Sequence, residues 1–218
     1  MKKTITAVMP VKLNNERLPG KNLRLLGERP LLQYALSSLQ KTGLMEQIYV
    51  YCSNEDLVHY LPDGILFAKR PEYLDLPSSN FTQIFEAFQA QYDADVYVYA
   101  HATAPFVTVS TICQCVQAVT SGKYDSAFCA VKMQDFFWKG GKPMNFDAAH
   151  LPRSQDLEPI YRETSGIYVF TREVFGKYHR RVGRYPFIKT VSYKEAVDIN
   201  TLEDFKLAEA LLDADHME

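Results

Sequence analysis

No apolar run in this chain approaches the ~20 residues that a membrane-spanning helix needs, so a membrane partner is not expected. Nor is there an excess of charge of either sign. Twenty-four basic and 26 acidic side chains leave a formal net charge of −2, without the basic footprint of a nucleic-acid binder. Cysteine is sparse. Cys52, Cys113, Cys115 and Cys129 form no CxxC pair, which argues against a zinc site or a disulfide framework. They read as reduced thiols used for packing. The first residues, Met1-Lys2-Lys3-Thr4, precede only a few apolar positions before Pro10, too few for the hydrophobic stretch of an export signal. A cytoplasmic protein is the expectation. Two phosphate-binding signatures are also missing: neither the Walker A pattern GxxxxGKS/T nor the dinucleotide pattern GxGxxG occurs.

What is present is a core. Hydrophobic residues make up 47% of 218, enough for one large domain over residues 1–218 and too many for a disordered chain. Residues 4–10, 48–52, 65–68, 96–100, 126–131, 166–170 and 187–191 read as strands, being short, apolar and rich in β-branched or aromatic residues. Between them lie helical patterns over 31–39, 55–61, 82–90, 109–120, 171–178 and 201–213. Strands that alternate with helices predict an α/β fold whose mostly parallel sheet carries helices on both faces. Ligands in such folds bind beyond the carboxyl ends of the strands. Functional residues are therefore expected just after Pro10, Ser53, Ala100 and Val131. Residues 133–160 hold two glycines, three prolines and many polar side chains. That segment is too long for an ordinary connection, and it reads as an inserted arm or lid.

The loop after the first strand carries the strongest chemical signal. Pro10 to Asn22 reads PVKLNNERLPGKN and places Lys12, Arg17 and Lys21 within ten residues. A strand-end loop of this kind can wrap a polyphosphate with backbone N–H groups and side-chain charge.

This loop resembles the pattern P-A-R-x-G-S-x-R-I/L-P-x-K-N of the acylneuraminate and related ulosonate cytidylyltransferases, matching at Pro10, Arg17, Pro19, Lys21 and Asn22. Further blocks follow in order. Arg70 to Leu74 resembles R-P-x-x-L, and Ser79 stands where the family has a serine near the cytidine. His101 to Phe106 resembles Q-P-T-S-P-L/F. Arg153 to Arg162 resembles R-R-Q-D-L-P-x-x-Y-R, Ser165 to Val169 resembles N-G-A-I-Y-I/V, and Val197 to Phe205 resembles I-D-I-D-T-x-x-D-F/L. The likeness spans roughly residues 5–212.

The resemblance implies a Rossmann-like, doubly wound sheet of the nucleotide-diphospho-sugar transferase type, with residues 133–160 as a small dimerisation arm of a homodimer. It implies CTP and an acidic sugar as substrates, CMP-sugar and pyrophosphate as products, and a place in surface glycan assembly. By position, Lys12, Leu13, Asn14, Asn15, Arg17, Lys21, Asn22, Arg70 and Ser79 are expected at the nucleotide. His101, Thr103 and Arg162 are expected at the acceptor, Arg162 at its carboxylate. Asp198 and Asn200 are expected at Mg²⁺, and Lys21, Arg17 and Asp198 are expected to carry catalysis. The departures are Lys12 for arginine, Asn14-Asn15 for Gly-Ser, His101 for glutamine and Asn200 for the second aspartate. Lysine keeps the charge without the fork of arginine, and an asparagine carbonyl offers a metal no charge. Another acidic acceptor, such as ketodeoxyoctonate or a polyol phosphate, and a nucleotide-binding module without turnover are the other readings.

Overall fold

The computed structural model describes residues 3–215; residues 1, 2 and 216–218 of the expected domain lie outside them. The chain begins with β1 (Ile5–Pro10), whose first five residues are all buried. A small hairpin follows, β2 (Leu25–Leu26) and β3 (Arg29–Pro30). Then come α1 (Leu32–Lys41), β4 (Gln47–Cys52), β5 (Leu66–Lys69), α2 (Phe81–Gln89), β6 (Val96–Ala100), α3 (Val109–Thr120) and β7 (Ser126–Met133). A second hairpin, β8 (Trp138–Lys139) and β9 (Lys142–Pro143), is followed by β10 (Ile160–Thr171), α4 (Arg172–Tyr178), β11 (Pro186–Thr190) and α5 (Leu202–Asp215).

Seven strands form one sheet in the order β11-β7-β10-β6-β1-β4-β5. β1 lies parallel to β4 and β6, β4 to β5, and β7 to β11. β10 alone runs against its neighbours β6 and β7. The sheet is thus the mostly parallel, helix-flanked sheet expected. The alternation within β6 shows why its faces differ. Val96, Val98 and Ala100 point into the core shared with Leu32, Leu36 and Leu39 of α1 and Ile112 and Val116 of α3. Tyr97 and Tyr99 point to the other face, among Phe85 and Phe88 of α2 and Phe170 and Phe175. Small β-branched residues suit the broad face under two long helices; the opposite face is filled by aromatic rings in edge-on contact, such as Phe85 against Tyr97 at 4.9 Å.

Helix starts follow their caps. Asn80 and Gln83 form a reciprocal capping box at α2, and Thr108 and Thr171 cap α3 and α4 through their hydroxyls. Asn54 caps the segment expected as a helix over 55–61, which is instead a 3-10 turn, Glu55–Tyr60. Residues 133–160 are less irregular than expected. Gly140 and Gly141, both at positive φ, turn the β8–β9 hairpin. Phe146 packs against Phe136 and Trp138 at 4.9 and 5.4 Å.

Candidate active site

The basic loop leaves β1 where the resemblance and the strand-end rule both put it. Val11 extends the sheet by donating its N–H to Tyr51 O (3.0 Å). Its own carbonyl accepts from Arg70 Nη2 (2.9 Å). Arg70 is 2% exposed and also pairs with Asp75, so it supports the loop from beneath. Asn22 Nδ2 closes the loop on Lys12 O (2.8 Å). Gly20, at φ 66°, makes the turn that starts the 3-10 segment Lys21–Leu23 and sends the Lys21 side chain inward.

Lys21 then meets the far end of the chain. Its Nζ donates to Ile199 O (2.9 Å) and to Asn200 Oδ1 (3.4 Å). Arg17 Nη2 reaches the same Asn200 oxygen at 2.8 Å. Asn200 Nδ2 donates to Asp198 Oδ2 (2.7 Å), and Thr103 Oγ1 donates to Asp198 Oδ1 (2.5 Å). The amide orientation is chemically forced, since guanidinium and ammonium only donate and a carboxylate only accepts. Residues from three separate stretches of sequence are thereby tied into one polar chain. Asp204 anchors its far end by accepting from the N–H groups of Asn200 (2.9 Å) and Thr201 (2.8 Å). Burial lowers the pKa of Lys21, with Asp198 opposing that effect and Arg17 adding to it.

These groups share a small recess of about 220 Å³ lined by Pro10, Lys12, Asn15, Lys21, Asn22, His101, Ala102, Thr103, Asp198 and Asn200. Lys12 and Asn15 also line a recess of about 290 Å³ with Asn14, Glu16, Arg17, Leu18, Lys21 and Pro77. Beyond Lys12 lies a cleft of about 750 Å³ between Leu13, Asn14 and Glu16 on one wall and Ser53, Asn54, Lys69 and Leu76 on the other. The sequence-predicted residues Lys12, Leu13, Asn14, Asn15, Arg17, Lys21, Asn22, His101, Thr103, Asp198 and Asn200 therefore line three neighbouring recesses that all include Lys12. Ser79 lines none of these recesses; its Oγ donates to Tyr73 O (3.2 Å). Arg162 stands apart: it is exposed, it faces the side of the sheet that carries Val131, and its side chain makes no hydrogen bond or ion pair among the described residues.

His101 lies on the other sheet face, its ring 5.3 Å from Tyr99 and 6.1 Å from Tyr168. Its Nε2 is enclosed and has no partner. Gly166 accepts the His101 N–H (3.4 Å), and a Cβ on that glycine would fall 2.9 Å from Val107. Burial first, then the charge of Arg181, pushes the His101 pKa from 6.5 to about 4. The imidazole is therefore neutral at working pH, a hydrogen-bonding group and a weak base. Because the unfolded chain binds the extra proton between pH 6.5 and 4, this histidine's stability contribution is full above pH 6.5 and is lost as pH falls toward 4. In denaturant unfolding, the wild type is expected to lose about 1–2 kcal/mol more than His101→Gln between pH 7 and pH 5. An equal loss in both proteins would show that the ring is not held neutral.

Arg70 was expected at the nucleotide and is found beneath the loop. Arg181, which no sequence block marks, lies over the Tyr168 ring with Cζ 3.6 Å from its centroid. The only sequence signal near it is the Arg180-Arg181 pair after α4.

The site can hold one divalent cation in part. Asp198 is the only carboxylate lining the inner recess, and each of its oxygens accepts one hydrogen bond, leaving a further lone pair. Magnesium takes one or two carboxylates and completes its shell with phosphate oxygens and water. Asp198 fits that use. Asn200 does not add a ligand in this arrangement, because its oxygen is taken by Arg17 and Lys21.

Comparison with known proteins agrees with the fold. The sequence profile of the family described as cytidylyltransferase matches residues 6–217. N-acylneuraminate cytidylyltransferase A of Danio rerio is 26% identical over 215 residues, covering 94% of this chain and 50% of that protein. The chain thus spans about half the length of that relative. The 3-deoxy-manno-octulosonate cytidylyltransferase of Acaryochloris marina is 23% identical over 242 residues, covering 95% of this chain and 97% of that one. Among solved structures, CMP:2-keto-3-deoxy-manno-octonic acid synthetase complexed with CTP superposes with a TM-score of 0.71 at 14% identity, over 97% of this chain and 99% of that chain.

Proposed function

The chain belongs to the cytidylyltransferase family, and on that premise we propose that it joins CMP from CTP to an acidic sugar of the ulosonate type, releasing pyrophosphate. One observation carries the reading: the polar chain Arg17/Lys21–Asn200–Asp198–Thr103 brings the basic loop against a single carboxylate in the inner recess. Cytidine fits the 750 Å³ cleft on the β4–β5 side of Lys12. The triphosphate lies along the loop, where Lys12, Arg17 and Lys21 offset its charge. The acceptor enters from the β6–β10 side, past His101 and Thr103.

The reaction is displacement at the α-phosphorus: the acceptor's anomeric hydroxyl loses its proton to solvent as its oxygen forms the new P–O bond, and the bond to the bridging oxygen of the pyrophosphate leaving group breaks. Such chemistry depends on positioning and charge stabilisation. Lys21, held by Ile199 O and Asn200, is a fixed positive charge beside the reacting phosphate. His101 orients the acceptor by hydrogen bonding, its low pKa making it a poor proton acceptor. A magnesium ion would be held by Asp198 together with phosphate oxygens and water, and it would neutralise developing charge on the phosphate.

The test is pyrophosphate release with CTP, Mg²⁺ and a panel of acids: N-acetylneuraminate, a pseudaminate or legionaminate, and 3-deoxy-manno-octulosonate. Release with one of these acids is expected. Release with a polyol phosphate alone would change the acceptor class. Silence throughout, with CTP binding confirmed by calorimetry, would overturn the enzymatic reading.

A further inference from the structure

The acceptor side of the site needs a cation if its substrate is an acid, and the expected one, Arg162, faces the other side of the sheet. Arg181 is differently placed. Helix α4 ends at His179 in the left-handed conformation (φ 50°), with the His179 N–H bonded to Phe175 O (2.8 Å). That reversal carries the following residues back over the aromatic face of the sheet. The Arg181 guanidinium covers the Tyr168 ring at 3.6 Å and lies 5.5 Å from the Phe81 centroid. Only 29% of its side chain is exposed. Nη2 donates to Tyr168 OH (2.9 Å) and, at 3.4 Å, to Glu163 Oε1. The Glu163 contact is long and half in water; that carboxylate's short bond is to Tyr168 OH (2.5 Å). Nη1 and Nε have no hydrogen-bond partner among the described residues.

Two polar groups with hydrogen-bonding capacity to spare therefore lie near Tyr168: the guanidinium, through Nη1 and Nε, and the enclosed His101 Nε2, which has no partner. An enclosed polar atom without a partner, as His101 Nε2 is, is uncommon in folded proteins and points to a ligand. The position of the two groups fits the acceptor better than CTP. The large cleft lies over β4 and β5, whereas His101 follows β6 and Tyr168 lies on β10, across β1 from that cleft. An acidic sugar's anion is its carboxylate, and a planar guanidinium against an aromatic ring is well suited to hold one.

We propose that Arg181 determines acid specificity by binding the acceptor's carboxylate, with His101 Nε2 bonding the same substrate; this rests on the cytidylyl-transfer reading above. The experiment compares kcat/KM for the acid that turns over with that for its carboxamide, in the wild type, Arg181→Gln, Arg181→Lys and Arg162→Gln. CTP affinity by calorimetry serves as the check on folding. The wild type is expected to prefer the acid by about 100-fold, a discrimination typical of a site built around one charged contact. Arg181→Gln is expected to reduce that preference to under about 5-fold through KM for the acid, with KM for CTP unchanged. Arg181→Lys, which keeps the charge without the fork, should fall between them and covers the case of a Gln variant that fails to fold. Acid preference retained in both Arg181 variants, or lost only in Arg162→Gln, overturns the assignment and leaves cytidylyl transfer standing. A wild type that releases no pyrophosphate with any acid removes the transfer reading and this inference together.

Discussion

Asp198→Asn is expected to lower kcat/KM by about 10³-fold, equivalent to roughly 4 kcal/mol of transition-state stabilisation, with little change in stability. The two halves of that expectation have different origins. Asp198 is the only carboxylate lining a recess that also holds Lys12 and Lys21, so it is the residue there that would offer a negatively charged oxygen to a divalent cation. An amide is isosteric and still serves its neighbours: the carbonyl can accept from Asn200 Nδ2 and the NH₂ can donate to Thr103 Oγ1. The fold should therefore survive, with Tm within about 3 °C of wild type, a shift that corresponds to roughly 1 kcal/mol in a domain of this size. CTP affinity measured in EDTA should be unchanged. Pyrophosphate release within about 5-fold of wild type would show that Asp198 only bridges Thr103 and Asn200 and takes no part in the chemistry.

The polar chain that makes this variant informative was partly legible in the sequence. Its members lie in three of the blocks that resemble the ulosonate cytidylyltransferases, so their identities could be listed; how they bond could not. Asn200 reads as a weakened metal ligand when it is seen only as a replacement for aspartate. In the fold its carbonyl faces two cations and its NH₂ faces the carboxylate, so it joins the basic loop to Asp198. Arg70 shows the same limit. The segment Arg70-Pro71-Glu72 marks a position near the nucleotide, but only the register of β4 against β1 and β5 places its guanidinium under Val11 O. Arg181 falls in no block, and two adjacent arginines after a helix read as solvated surface. Its enclosure comes from Phe81 and Tyr168, which lie 100 and 13 residues away in sequence.

The sheet was easier to read than the site. β6 and α3 occupy the residues their patterns predict, 96–100 and 109–120, because the strand is apolar on both faces and the helix has one continuous apolar stripe. Strand direction is another matter. A strand's own residues carry no record of how its neighbours run, so the reversal of β10 between β6 and β7 was not visible. Nor was its length. Residues 161–163, Tyr-Arg-Glu, extend beyond the core and are exposed, and so they lack the apolar signal of Ile167 to Phe170. Turn segments were underread for a related reason. Glu55–Tyr60 has the cap and the length of a helix, but only Leu57 is buried, too little apolar contact to hold a regular α-helical turn against the sheet.

Lys21→Met should have the second large effect: a loss of about 10²- to 10³-fold in kcat/KM for CTP, together with about 1–2 kcal/mol of stability. Methionine approximates the aliphatic stem of lysine, so packing is kept and the ammonium alone is removed. Two consequences follow from its contacts. Ile199 O loses the donor that reaches it at 2.9 Å, an unmet buried acceptor that accounts for the stability term. Asn200 Oδ1 keeps Arg17 at 2.8 Å, so the link to Asp198 persists and the variant should still fold around the same recess. The activity term is larger because the lost charge is held in an enclosed site, where it acts on the phosphates without much screening by water. Lysine in such a site carries a desolvation penalty, seen in its lowered pKa, and Asp198 is the neighbour that most favours the charged form. A bound triphosphate would add to that support, so CTP binding and Lys21 protonation should reinforce each other. Calorimetry in buffers of different ionisation enthalpy, run above neutral pH, would detect proton uptake on CTP binding by wild type that is absent in Lys21→Met. Equal proton uptake in both, or equal CTP affinity, would place the triphosphate away from Lys21 and return the loop's role to Lys12 and Arg17.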